Sequence, residues 1–236
     1  MYCTLFENGL QYHVIYAVGY QNVDSEQSAL IGSSFTPVAG GEVNVADIKV
    51  AGAGGYGDVY MQSMGSSGSF EDKQYFYLTM DGMGVDDGWY RDVAGTEPVD
   101  ETDTIKFGYG MSFASDGAVT LTYSGAVVSG TPTVTWDAGY GFLANPTPVD
   151  QKINDVIVEG AGGYGDVTFQ KLLPSGSFDT TEYFYLTMDG MGVEDGWYMD
   201  VAGTMPVEDT DVITAGQSVS FHSDGDLTIT FKKVLD

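Results

Sequence analysis

Residues 47–128 align with residues 155–236 without a gap, at a constant offset of 108, and about 48 of the 82 aligned positions are identical. GAGGYGDV recurs at 52 and 160, YFYLTMDGMGV at 75 and 183, DGWY at 87 and 195, and VAGT at 93 and 201. Upstream, SSFTPV ending at Val38 matches ANPTPV ending at Val149 after a three-residue adjustment. A period of 108 residues is the length of a whole domain, unlike a solenoid unit that must borrow a neighbour to bury its face. The reading is therefore two abutting units. Residues 1–128 form the first, with an N-terminal extension strand at 1–16, and residues 129–236 form the second. The junction lies in SGTPTVTWDAG, residues 129–139.

Within each unit, short segments rich in Val, Thr, Tyr and Phe are punctuated by Gly, Asp and Pro, the pattern of strands joined by turns. Strands are predicted near 18–23, 29–35, 47–51, 58–63, 75–80, 89–93, 104–113 and 118–124, and again about 108 residues later. No window carries sustained helical periodicity with caps, and 33 glycines oppose long helices. The predicted fold class is all-β, two tandem homologous β-sandwiches of jelly-roll-like form.

Charge excludes one class of partner. With 34 Asp and Glu against 8 Lys and Arg, a net charge of −26 leaves little to neutralise a phosphate backbone, so no nucleic acid is expected. The 16 Tyr, 12 Phe and 3 Trp are too many aromatic residues for a chain that never packs. No apolar run reaches the roughly 18 residues needed to span a bilayer, and the N-terminus carries neither a basic leader nor a continuous apolar stretch.

GAGGYGDV carries the closely spaced glycines of a phosphate cradle, but the following DVYMQ and DVTFQ read as strands where a cradle needs a helix N-terminus. DGMGVDDGW places Asp81, Asp86 and Asp87 among glycines, and DGMGVEDGW places Asp189, Glu194 and Asp195 likewise. Clustered carboxylates suit a hard cation, making Ca²⁺ the candidate ion, whereas the same composition also builds ordinary turns. Trp89 with Tyr90, and Trp197 with Tyr198, are either stacking platforms for a glycan or core aromatics. His13 and His222 lack counterparts in the other copy, Ala114 standing opposite His222, and with Cys3 they assemble neither a zinc site nor a catalytic triad. The chain is not expected to be an enzyme.

The order GYGFLANPTPVDQKINDV, GDV, YFYLTM, GWY, TAGQSVSF and a closing LTITF resembles a broad group of secreted bacterial β-domains. Those domains have a glycine-aromatic start with an Asn-Pro turn, a Tyr-rich middle, a Gly-Trp and a Pro-Gly-Gln-Gly-Phe-like end. The first copy departs from that pattern, with GSSFTPV and FGYGMSF at the two ends. The resemblance implies cell-surface or extracellular residence and an adhesive or structural role, with no catalytic residues. The expected function is an extracellular structural protein that self-assembles into a surface layer, fibre or matrix, as a homo-oligomer or polymer. Its alternative is a carbohydrate-binding or adhesive module, calcium-dependent or not. In QYHVIYAVGYQNV, Tyr12, Val14, Tyr16, Val18 and Tyr20 alternate along one strand face, and that segment is the candidate for pairing with a neighbour's open edge.

Overall fold

The computed structural model describes residues 2–7, 10–15, 18–25, 28–37, 41–52, 59–79, 86–161, 165–173, 175–187 and 194–234, with backbone alone for 2–7, 10–15, 18–21, 23–25 and 71–73. Strands β1 (Tyr2–Glu7) and β2 (Leu10–Ile15) make a hairpin with a two-stranded sheet of its own. The first half continues with β3 (Val18–Ser25), β4 (Ser28–Gly32), β5 (Val43–Asn44), β6 (Lys49–Ala51), β7 (Val59–Met64), β8 (Phe70–Leu78), β9 (Gly88–Tyr90), β10 (Thr104–Ile105), β11 (Gly110–Ser115) and β12 (Val119–Ala126). The second half comprises β13 (Thr133–Trp136), β14 (Gly139–Ala144), β15 (Gln151–Lys152), β16 (Ile157–Glu159), β17 (Val167–Leu172), β18 (Phe178–Leu186), β19 (Gly196–Tyr198), β20 (Val212–Ile213), β21 (Ser218–Ser223) and β22 (Leu227–Thr230).

Each half repeats one topology. A five-stranded sheet of order β4-β11-β7-β8-β9 recurs as β14-β21-β17-β18-β19, and a three-stranded sheet β3-β12-β6 recurs as β13-β22-β16. The short ladder β10-β5 recurs as β20-β15. The chain is all-β, and its sheets are small and open. Alternation explains their two faces: Val219 and Phe221 on β21, and Leu227 and Ile229 on β22, are buried, whereas Ser220, His222, Thr228 and Thr230 stand between them on the outer side. Full burial of one such apolar side chain is worth roughly 1.5–3 kcal/mol. Each half gathers its own core from both larger sheets. Met61, Tyr75, Phe113 and Leu121 belong to the first, and Phe169, Tyr183, Phe221 and Ile229 to the second.

Two expected strands divide. The run predicted at 104–113 splits into β10 and β11, because Lys106 to Tyr109 close a turn in which the Tyr109 amide donates to the Lys106 carbonyl and Gly108 takes φ +77°. The N-terminal alternation likewise falls on two strands with different partners: β2 pairs with β1, and β3 pairs with β12. Within the extension, Tyr2–Glu7 and Leu10–Ile15 thus pair as a hairpin, whereas β3 belongs to the first half's own sheet; Tyr16 lies outside the described residues.

The halves meet through reciprocal contacts. The Gly32 amide donates to Gly216 O (3.1 Å), and Ala144, which holds the place of Gly32 in the second half, donates to Gly108 O (2.9 Å). Ile31 bridges Gln217 as Leu143 bridges Tyr109. Edge strands β4 and β14, which would otherwise present unpaired backbone groups, are therefore each covered by the opposite half. At the centre the backbones come so close that side chains must be small. A Cβ added to Gly32 would overlap the Ala144 methyl, and one on Gly110 would lie 2.5 Å from Ser218 Cβ and 2.6 Å from Ile31 O.

Candidate functional site

The DGWY motifs are placed by β9 and β19, the outermost strands of the five-stranded sheets. Trp89 and Trp197 are buried, and their indole N–H groups donate to Ile48 O (2.9 Å) and Val156 O (2.8 Å). Tyr77 and Tyr185 meet them edge-on, with ring centroids 5.3 Å apart in both halves. A buried indole with its polar atom engaged offers no face to a glycan, so these two rings pack the core. The neighbouring tyrosines act on the acidic loops. The Tyr90 hydroxyl donates to Asp86 O (2.7 Å) and the Tyr198 hydroxyl to Glu194 O (2.8 Å), each fastening the loop that precedes its strand. Burial, then the charges of Asp86 and Asp87, hold the Tyr90 hydroxyl above its ordinary pKa.

Asp86, Asp87, Glu194 and Asp195 are exposed, and Asp81 and Asp189 lie outside the described residues. Among the described residues no group of three His, Cys, Asp or Glu side chains is placed to hold a metal ion. No helix among them is long and apolar enough to cross a membrane. His222 lies 3.5 Å from Asp224, beneath the ring of Tyr140. Residues 53–58 and 162–164 of the glycine motifs lie outside the described residues; Val59 and Val167, which end the motifs, open strands β7 and β17.

A carboxylate that sequence reading passed over lies inside the first half. Asp103 is fully buried, accepting from the Tyr75 hydroxyl (3.1 Å) and the Asp100 amide (2.9 Å) and pairing with Arg91 at 2.6 Å. The hydrogen bonds to Asp103 and then Asp100 push the Arg91 guanidinium further above its usual range. In the second half Met199 replaces Arg91, and Lys171, in the place of Ser63, lies 4.0 Å from Asp211 while Tyr183 donates to it (3.1 Å). Burial lowers the Lys171 pKa, opposed by Asp211 and Asp179. The pair fixes the 98–105 and 206–213 segments to the sheet, a structural role.

A cleft of about 440 Å³, large enough for a ligand, opens between the halves, with Ser66, Thr104, Lys106 and Tyr109 from the first and Tyr140 and Phe142 from the second among its walls. Tyr109 stacks on Trp136 at 4.6 Å and 9°, and its hydroxyl donates to Thr135 O (3.2 Å). Lys106 Nζ lies 4.6 Å from the Tyr109 ring centre and 3.9 Å from Asp137. The Tyr140 amide donates to Ser66 O (3.0 Å), so the β7–β8 turn forms one rim. Trp136 and Phe142 are buried, and Tyr140 is 46% exposed. Spacing within one copy gives no sign of this site, since its walls come from both copies.

No family model matches the chain, no curated protein does, and no solved structure does.

Proposed function

We propose that the chain is a non-catalytic, extracellular structural subunit, built of two β-sandwich domains at 1–128 and 129–236, that assembles with further copies of itself into a layer, fibre or matrix. The observation that carries this reading is the β1-β2 hairpin, whose sheet, among the described residues, joins neither of the larger sheets of its half. An isolated two-stranded hairpin is marginal in water, so it gains stability by adding to an open edge. Strands β13 and β16 flank their three-stranded sheet and offer such edges, with Ile157 of β16 half exposed. A contact between the arm of one copy and the edge of the next does not close on itself, and so it propagates.

At −26 per chain, copies repel one another, and salt or divalent cations should strengthen assembly. Calcium at the acidic loops would act in the same direction and would also raise the melting temperature, which calorimetry with calcium and with a chelator reads directly. The decisive experiment is deletion of residues 1–16, followed by light scattering and electron microscopy. Loss of polymers with the melting transition retained supports the reading; unchanged assembly overturns it.

A further inference from the structure

We infer that the junction between the halves is a keyed docking surface through which two copies of the chain exchange halves, always joining a first half to a second half. This contact is separate from the N-terminal arm and holds whether or not the arm polymerises the chain. The key is a pair of cross-strand neighbours in each half. Gly32 of β4 stands opposite Gly110 of β11, and the corresponding Ala144 of β14 stands opposite Ser218 of β21. The bare pair faces the filled pair: a Cβ on Gly32 would overlap the Ala144 methyl, and one on Gly110 would lie 2.5 Å from Ser218 Cβ.

The reciprocal contacts relate the halves as the two sides of a two-fold interface, so the consequence of any other pairing can be worked out. A second half against a second half would set Ala144 on Ala144 and Ser218 on Ser218, the two overlaps that glycine now avoids. A first half against a first half would leave both places unfilled. It would also lose the buried hydrogen bond that crosses the junction from the Ser218 hydroxyl to Ile31 O (3.1 Å). Only the unlike pairing fits, and nothing in that fit requires both halves to belong to one chain. Each half carries its own core. Val127 packs against the first, and the Phe231 amide ties the Pro132 carbonyl to the second (2.9 Å), which leaves Ser129, Gly130 and Thr131, all exposed, as the hinge. A chain opened there presents one face of each kind, and two opened chains close reciprocally into a dimer with both junctions made.

The test uses two full-length variants, one with Gly32→Ala and Gly110→Ser, which fills the bare pair, and one with Ala144→Gly and Ser218→Gly, which empties the filled pair. Alone, the filled variant cannot join its halves and should be an open monomer, with a larger radius of gyration in solution X-ray scattering than the parent and circular dichroism showing both halves folded. Mixed in equal amounts, the two variants should form a one-to-one complex of twice the chain mass in native mass spectrometry, at least about tenfold more abundant than a dimer of either variant alone. Parent mixed with the filled variant has the same arms but no emptied face, and should form no such complex, which distinguishes this contact from one made by the arm. A chain carrying all four substitutions regains an unlike pairing and should be as compact as the parent. A filled variant as compact as the parent, a mixture of the two variants that stays monomeric, or a fourfold variant that stays open would overturn the inference.

Discussion

Gly32 and Ala144 occupy the same strand position in the two halves and meet each other, so exchanging them isolates the contact between the halves. In Gly32→Ala the new methyl overlaps that of Ala144, and both sit on hydrogen-bonded backbones, Gly32 N to Gly216 O and Ala144 N to Gly108 O, that resist displacement. Overpacking of this kind costs about 1–3 kcal/mol. Gly32 has no positive φ, so alanine incurs no backbone strain and recovers about 0.4–1 kcal/mol through the less flexible unfolded chain. The net loss is about 0–2.6 kcal/mol, a fall of up to roughly 10 °C in melting temperature for a chain of this length. Ala144→Gly alone should be mildly destabilising, by about 0.5–1 kcal/mol, through a flexible glycine in a strand. The double exchange restores one glycine facing one alanine and should return close to the parent. Urea unfolding of all four proteins, followed by tryptophan fluorescence, gives the coupling energy directly. A coupling below about 0.5 kcal/mol would mean that the residues do not meet, and the account of the interface would fail.

The Tyr123 hydroxyl is buried without a hydrogen-bond partner among the described residues, and Phe231 fills the corresponding place; Tyr123→Phe should raise stability by about 1 kcal/mol, read as a higher melting temperature. Arg91→Met, copying the second half, deprives buried Asp103 of its guanidinium and should lower the melting temperature. Adding Ser63→Lys, which copies Lys171, should recover part of that loss. The Thr204 hydroxyl, followed by the Met205 and Thr204 amides, holds the Asp200 carboxyl below 3.8 against a smaller opposing effect of desolvation. A depressed folded-state pKa contributes stability above pH 3.8 that disappears as pH falls through the folded value, so Asp200→Asn should destabilise at neutral pH and converge with the parent in acid. Trp89, Trp136 and Trp197 are all buried, and native fluorescence should be blue-shifted and resist iodide quenching until unfolding.

Strands and duplication were legible because they are written locally, in alternation and in repeated words. The DGWY motif declared a tryptophan before a turn but not its depth, which depends on Ile48 and Val156 arriving from 41 residues upstream in each half. The break inside 104–113 was hidden because Phe107 and Tyr109 continue the apolar alternation across Gly108, whereas the need for glycine at the turn comes from its positive φ and from the near approach of Val134, a residue of the other copy. Asp103 read as one acid among 34, since its partner Arg91 belongs to another strand's end and appears in one copy only. Tyr109 was equally silent. Its stacking on Trp136 joins residues of different copies, and a comparison of one copy with the other registers it as a mere mismatch with Gln217.

Reciprocity at the junction also sets a parity rule. A face that meets its own duplicate is saturated once two copies have joined, so a third unit added in tandem would leave one β4-like edge uncovered, with its amide and carbonyl groups exposed. Lengthening such a chain while keeping every β4-like edge closed requires units in even numbers. The pair, rather than the single 108-residue period, is then the smallest piece that can be copied, moved or fused without creating a surface that seeks a partner.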